Sequence, residues 1–572
     1  MESKVNDKSD KPDKPIRVLW DVKTPMRDGT LLSSEVYLPY EEGAFPAILQ
    51  RTPYGNEEIY CVNVGKFFAQ HGYAFVFQDV RGRGDSDGIF DEYNEGNDGY
   101  DTIEWIAAQP WCNGNVGMRG GSYEGAVQWD AARKNPPYLK AIIPQALVPD
   151  LMETIPFSNG IPRLENLQWL FFVSGRSNQC NILTAIDWDH ILFHLPLKTM
   201  DKKIGKTLSS WQKILEHPNL DEFWKSNRAS KEECSQMNIP MLFISGWHDD
   251  SLRGTLWAYQ KVLENTPKPD QIYLLIGPWN HGGTGAPKQQ LRGIDYGPQA
   301  VLNMREVHLK WFDYWLKGIK NEVSEWKRTQ LFLMGENKWQ NFDVALPSIE
   351  KGKLELYLNS DGNAQSSKGT GKLQRKAPTQ ETKDIFTYDP HNPVPDYPVL
   401  NLYGEEVDGS FEINYVTERN DVLVYTTEPL DEAITIFGSP VLEFYGSSDC
   451  VDTDWFATIA EVTPEGKAIS FGAANFGISC IRARYRDSLS EPKLMTPHQV
   501  YKFKLSIDPL FNTFKKGNRI QLIVTSSAFP TYARNLNTGE RIGFGTEIKI
   551  AHNSIHHGGQ LLSKLILPVK PR

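Results

Sequence analysis

Val116-Gly117-Met118-Arg119-Gly120-Gly121-Ser122-Tyr123-Glu124-Gly125-Ala126 reads as a strand that passes through a tight turn straight into a helix, with a serine at the apex. Gly120 and Gly125 carry no Cβ, so strand and helix can approach closely and Ser122 can hold a strained backbone that projects its hydroxyl. The Tyr123 N–H opens the helix and points where a carbonyl oxygen can sit, which gives one built-in oxyanion donor. A bare glycine–serine–glycine spacing arises often by chance in 572 residues, so its surroundings decide its meaning.

Upstream, Ala47-Ile48-Leu49-Gln50 and Ala74-Phe75-Val76-Phe77-Gln78 read as short buried strands, and Asp98 to Gln109 carries apolar residues at helical spacing. Lys140-Ala141-Ile142-Ile143-Pro144 follows the turn as another strand. Strands alternating with helices predict a mostly parallel sheet covered on both faces. From about Gln145 to Ile239 strand runs vanish: Leu164 to Val173 and Ile182 to Phe193 look helical, and Leu208 to Trp224 is a broken, Trp- and Phe-rich helical run. Strands resume at Met241 to Ser245 and Ile272 to Ile276, followed by a helix from about Leu302 to Leu316, so a helical insertion interrupts a continuing sheet.

After about Trp326 short strands recur at Leu331 to Met334, Leu354 to Leu358, Val422 to Thr426, Val441 to Tyr445, Trp455 to Val462, Tyr501 to Ile507 and Arg519 to Thr525. With Asp/Gly/Pro punctuation this predicts a jelly-roll β-sandwich. Gly362 to Gly371 reads as a mobile loop. The expected organisation is a flexible tail at 1–15, a catalytic α/β unit at 16–144 and 240–345, a helical cap at 145–239 and a β domain at 346–572.

Composition narrows the partners. The chain is 40% hydrophobic, 23% charged and 12% aromatic, within the range of ordinary globular proteins, and its net charge of −10 comes without a basic block. That argues against nucleic acid and gives no reason to expect a membrane surface; a small molecule is the expected partner, and the oligomeric state is not readable. Six scattered cysteines form no C-x-x-C, so free thiols are expected rather than disulfides or zinc. No apolar leader or membrane-length run is present, and a cytoplasmic location follows as an expectation.

A serine hydroxyl needs an imidazole to take its proton and a carboxylate to hold that imidazole in the right tautomer. Both later strands end on candidates: Gly246-Trp247-His248-Asp249-Asp250 and Gly277-Pro278-Trp279-Asn280-His281-Gly282-Gly283. Ser122, Asp249 and His281 thus stand in the order of an α/β-hydrolase, each at the carboxyl end of a parallel strand. No metal or cofactor is required.

These residues resemble the CocE/NonD family of serine hydrolases, a group with cocaine esterases, α-amino-acid ester hydrolases and X-Pro dipeptidyl-peptidases. The shared segments include Met26-Arg27-Asp28-Gly29-Thr30, Arg51-Thr52-Pro53-Tyr54, Asp79-Val80-Arg81-Gly82-Arg83-Gly84-Asp85-Ser86 and Trp111-Cys112-Asn113-Gly114. The likeness runs on to Val451-Asp452-Thr453-Asp454-Trp455 and Ser526-Ser527-Ala528-Phe529-Pro530. It implies an α/β-hydrolase core with an inserted helical cap and a C-terminal β jelly-roll domain, and an ester or amide hydrolase working through an acyl-enzyme. It also implies that Tyr54 O–H is the second oxyanion donor beside Tyr123 N–H. Acyl transfer or X-Pro dipeptidyl-peptidase activity uses the same triad and stays open, as does a vestigial core that only binds.

For the substrate pocket, Trp169, Phe172 and Asp250 are candidates: the aromatics as acyl walls, Asp250 as an attractor of a cationic amine. Phe171 is a further candidate wall, and Arg253 a contact for an anionic acyl group. Asp250-Ser251 replaces the small and aromatic pair that follows the acid in cocaine esterases, which speaks against cocaine as substrate. The acidic run Asp85, Asp87, Asp91, Glu92, Glu95 and Asp98 reads as a solvated loop face, Arg81 and Arg83 as turn and ion-pair residues, and His248 as a packing residue. His552, His556 and His557 read as surface or sheet-edge residues.

Overall fold

The computed structural model describes residues 14–56, 59–93, 95–149, 152–396, 412–472 and 479–571. The expected N-terminal tail lies outside them up to position 13. Ten strands, β1 (Ile16–Pro25), β2 (Leu31–Pro39), β3 (Phe45–Thr52), β4 (Ala74–Asp79), β5 (Cys112–Gly121), β6 (Leu139–Gln145), β7 (Met241–His248), β8 (Ile272–Asn280), β9 (Thr329–Leu333) and β10 (Lys338–Phe342), form one sheet. Their spatial order is β1-β2-β4-β3-β5-β6-β7-β8-β9-β10. From β4 to β9 neighbouring strands run parallel; β1, β2 and β10 pair antiparallel at the margins.

The apolar runs explain why the parallel strands are buried on both faces. Leu49, Val76, Met118, Ile142 and Phe243 feed the core on one side of the sheet. Their chain neighbours Ile48, Phe75, Phe77, Ala141, Ile143, Leu242 and Ile244 feed the other. Period-two alternation therefore sends successive aliphatic side chains into two separate cores, and each core is roofed by crossover helices. α1 (Ile59–Gln70), α2 (Glu95–Ala107) and α3 (Tyr123–Arg133) link β3 to β4, β4 to β5 and β5 to β6.

Between β6 and β7 the chain leaves the sheet for a set of short helices, the first being α4 (Glu165–Phe172), packed around Leu167, Trp211, Ile214 and Trp224. The helix expected over Ile182 to Phe193 is two pieces, Cys180–Leu183 and Trp188–Leu192. Asp187 accepts a hydrogen bond from His190 N and so starts a new helix rather than continuing the old one. One strand pair that the sequence did not signal, Phe157–Ser158 with Ile161–Pro162, also lies here.

Beyond Gly352 antiparallel strands enclose a third core, built on Leu356, Leu442, Phe444, Trp455, Leu522 and Leu565. The molecule is thus an α/β-hydrolase core with an inserted helical cap, followed by a C-terminal β jelly-roll domain. The strand expected at Leu331 to Met334 belongs to the hydrolase sheet, as β9. Gly362 to Gly371, expected to be a mobile loop, is laced to its neighbour by Ser366 N to Val422 O (3.1 Å) and Val424 N to Ala364 O (2.8 Å), and across itself by Thr370 N to Asn363 O (2.6 Å).

β7 and β8 come unusually close where they approach the site. A Cβ on Gly246 falls 2.0 Å from the Trp279 carbonyl oxygen, and a backbone atom cannot yield as a side chain can. Gly246→Ala is expected to lower stability by about 1–3 kcal/mol, the usual cost of forced overpacking. A fall in the urea midpoint with unchanged m-value checks this.

Candidate active site

Ser122 has φ 62° and ψ −124°, an uncommon conformation for a residue with a side chain, and it caps the N-terminus of α3. Its N–H donates to the Gln145 carbonyl at 3.0 Å, which pins the turn to β6. The two flanking glycines are needed at this point. A Cβ on Gly125 falls 2.5 Å from that same Gln145 oxygen, and Gly120, at φ +138°, lies against Glu124 Cβ. Tyr123 is the first residue of α3, so its N–H has no helical carbonyl one turn back to bond.

Asp249 and His281 are the first residues beyond β7 and β8, whose pairing runs up to His248 and Asn280. Adjacent parallel strands therefore deliver both side chains to the same edge of the sheet. His281 Nδ1 donates to Asp249 Oδ1 at 2.8 Å. Asp249 is itself fixed by Ser245 Oγ (2.7 Å) and Ser251 N (3.0 Å). With Nδ1 committed to the carboxylate, Nε2 of the neutral ring is left as the proton acceptor. Burial alone depresses the imidazolium, but the charge and hydrogen bond of Asp249, joined by those of Asp250, hold His281 well above the ordinary histidine value.

Tyr54 follows β3, and its phenol faces the Ser122 hydroxyl and the His281 charge. Burial raises the phenol above its ordinary value, so it stays a protonated donor. Its oxygen also accepts from Trp169 Nε1 at 3.3 Å. Among the described residues no hydrogen bond joins Ser122 to His281. Such catalytic contacts are commonly long without substrate and tighten when it binds.

The cap brings aromatic rings against Tyr54 and Tyr123. Trp169 stacks on Tyr123 with ring centroids 5.8 Å apart, and Phe172 lies 6.1 Å from the Tyr54 ring. Phe171 turns the other way, into the cap core beside Trp188. Phe90, not singled out by sequence, completes the group at 5.8 Å from Tyr123 and 6.4 Å from Trp169. Arg253 is not available to an anionic acyl group: it pairs with Asp508 at 2.5 Å, across to the β domain. Asp250 lies beside the imidazole, its Oδ1 3.2 Å from His281 Nδ1.

A buried polar layer supports these groups. Arg83, fully buried, donates to Pro53 O (2.6 Å), Val173 O (2.7 Å) and Asn178 Oδ1 (2.7 Å), while Asn178 Nδ2 reaches Tyr54 O at 2.6 Å. Glu124 accepts from Gln50 Nε2 at 2.6 Å, and burial pushes it up to about 6. The acidic run is a solvated face only in its first part, where Asp85 and Asp87 are exposed. Glu95 and Asp98 are buried; Glu95 pairs with Arg51 (2.7 Å) and accepts from Tyr123 O–H (2.6 Å), and Asp98 pairs with Arg81 (2.7 Å). The sequence hides this because the partner arginines are distant in the chain.

His248 is a packing residue as expected: buried, hydrogen-bonded to Tyr296 O–H at 2.8 Å and pushed down to about 4 by burial. His557, expected at the surface or a sheet edge, is fully buried in a strand paired on both sides and bonds Asp384 at 2.9 Å. The described residues offer no separate metal centre. Their one close grouping of carboxylates and imidazole is Asp249, Asp250 and His281, whose donors are engaged with one another.

Residues 28–283 match the X-Pro dipeptidyl-peptidase (S15 family), and residues 321–566 match the X-Pro dipeptidyl-peptidase C-terminal non-catalytic domain. Cocaine esterase of Rhodococcus sp. (strain MB1 Bresler) is 31% identical over 96% of this chain and 98% of its own length. The solved structure of an aminopeptidase from a marine sediment archaeon, Thaumarchaeota archaeon, superimposes with a TM-score of 0.84 at 26% identity, covering 100% of this chain and 99% of the other. An α-amino acid ester hydrolase does so with a TM-score of 0.83 at 25% identity, over 100% of both. Fold and relatives together define a serine hydrolase of ester or amide bonds. Among such enzymes the chain belongs to the CocE/NonD family.

Removing the Arg83 guanidinium leaves buried carbonyls without donors, each costing about 1–3 kcal/mol. Arg83→Met is expected to lower stability by about 3 kcal/mol or more, read from its urea denaturation curve against the parent.

Proposed function

We propose that Ser122 attacks the carbonyl of a small ester or amide while His281 takes its proton through Nε2 and Asp249 holds the imidazole in the required tautomer. Tyr54 O–H and Tyr123 N–H receive the oxyanion of the tetrahedral intermediate. His281 then returns the proton to the leaving group, and water releases the acyl group by the same route. The observation that carries this reading is the 2.8 Å bond from His281 Nδ1 to Asp249, with the Tyr54 phenol facing a serine held at φ 62°. Each preorganised oxyanion donor supplies roughly 3 kcal/mol of transition-state stabilisation.

The acyl side of the substrate packs between Trp169, Phe172 and Phe90, which favours an apolar or aromatic acyl group. A peptidase reading has its own support in the X-Pro dipeptidyl-peptidase matches and the aminopeptidase likeness. Rates on p-nitrophenyl esters, amino-acid esters and X-Pro anilides separate the two; acyl transfer shows as product carrying an added alcohol or amine. The same reading divides the chain into a catalytic unit (16–144 and 240–345), a cap (145–239) and a β domain (346–572), supported by an apolar cluster centred on each, with Phe437 and Phe511 of the β domain joining the hydrolase core and Phe529 the cap cluster. Among the described residues no helix is long and apolar enough to cross a membrane. Free cysteines throughout support a cytoplasmic setting.

A fluorophosphonate probe is expected to label the parent protein and not Ser122→Ala; equal labelling of both removes Ser122 as nucleophile and favours a binding protein. Tyr54→Phe is expected to lose about 10²-fold in kcat with little change in KM. A change in KM alone refutes the oxyanion role. Because only the neutral imidazole accepts the serine proton and His281 sits well above the ordinary value of 6.5, kcat/KM is expected to rise with pH through an acid limb lying above 6.5.

A further inference from the structure

Asp249 and Asp250 both approach His281 Nδ1, but in different ways. Asp249 Oδ1, at 2.8 Å, receives the aligned hydrogen bond. Asp250 Oδ1 stands 3.2 Å from the same nitrogen as a neighbouring charge, steadied by Ser251 Oγ at 3.2 Å. Its other oxygen, Oδ2, is 3.7 Å from Arg163 Nη2. Arg163 enters from the cap, is 2% exposed, pairs with Glu165 and lies over the Tyr532 ring of the β domain, 5.7 Å from its centroid. Its Nε and Nη1 have no hydrogen-bond partner, so it is held by charge and packing rather than by a saturated network.

We propose that Asp250 is a second positioning carboxylate for His281: Asp249 orients the ring, while Asp250 adds negative charge beside it and ties it to the cap through Arg163. This rests on reading His281 as the general base. The alternative role, contact with a cationic substrate, fits the geometry poorly, because one oxygen faces the imidazole and Ser251 and the other faces a buried guanidinium. A substrate ammonium has to displace Arg163 to reach it.

The charged and titratable groups facing His281 are Asp249 and Asp250 from the loop after β7 and Tyr54 from the segment after β3. Behind Asp250 stand Arg163 and Glu165 of the cap. One arginine is thus shared between two carboxylates. Burial, opposed by Arg163 and reinforced by Asp250 and Asp396, pushes Glu165 up to about 8. Burial also works against the Asp250 charge, but His281, Arg163 and Ser251 outweigh it and hold Asp250 below the ordinary carboxylate range, so it remains an anion where the enzyme works. An anion beside the ring favours the imidazolium and raises the pH at which the base form develops.

The test is the pH profile of kcat/KM on a neutral p-nitrophenyl ester, with active enzyme counted by fluorophosphonate labelling. Asp250→Asn keeps the shape and removes the charge. Its acid limb is expected to move about one unit to lower pH, with the high-pH plateau reduced by no more than about twofold. Well below the parent's limb the variant is then severalfold faster than the parent, a gain that damage to the fold does not produce. If the amide variant folds poorly, Asp250→Ser serves in its place. An unmoved limb overturns the proposal, as does a loss at every pH equal to that of Asp249→Asn, or a KM rise confined to amine-bearing substrates. Absence of label on the parent protein fails differently: it removes the nucleophile itself, and this inference with it.

Discussion

The hydrogen bond from Ser122 N–H to the Gln145 carbonyl is the constraint on which the site depends. A serine at φ 62° persists only where its surroundings over-determine it, and here three elements meet at one oxygen atom. β6 presents the carbonyl, the turn donates to it, and α3 presses Gly125 against it at a distance no larger residue can match. The strain is held by the sheet, and the sheet is held by two apolar cores, so the position of one hydroxyl is set by packing far larger than itself.

The rest of the chemistry follows from strand order. Because β7 and β8 are parallel neighbours in register, their first loop residues arrive side by side, and Asp249 can reach His281 without any long-range search. Tyr54 comes from the other side of β5, beyond β3, and is carried to Ser122 by the contacts of buried Arg83 and of Asn178. A carboxylate, an imidazole, a phenol and an alcohol from four separate loops converge because parallel strands end at one edge.

Much of this was legible in the sequence. The glycines around Ser122, the apolar strands and the acid and histidine at two strand ends each leave a local mark, since backbone sterics and period-two burial act on neighbours in the chain. What stayed hidden was pairing between distant residues. Glu95 and Asp98 look solvated until Arg51 and Arg81 are placed against them, and His557 looks peripheral until Asp384 is seen beside it. Asp250 was expected to face a cationic amine, but which way its carboxylate faces depends on Arg163 arriving from the cap. The divided helix near residue 187 had a local signal in its aspartate cap, which the apolar spacing around it outweighed.

Arg83 has a consequence for motion. Its guanidinium clasps Pro53 on one side and the chain after α4 on the other, so the loop bearing the phenol and the root of the cap are riveted together. A hinge at that root drags Tyr54 away from the serine. If Tyr54 serves as the proposed oxyanion donor, entry of reactants without disarming it is therefore left to swings of the nearby rings, or to bending elsewhere in the inserted helices.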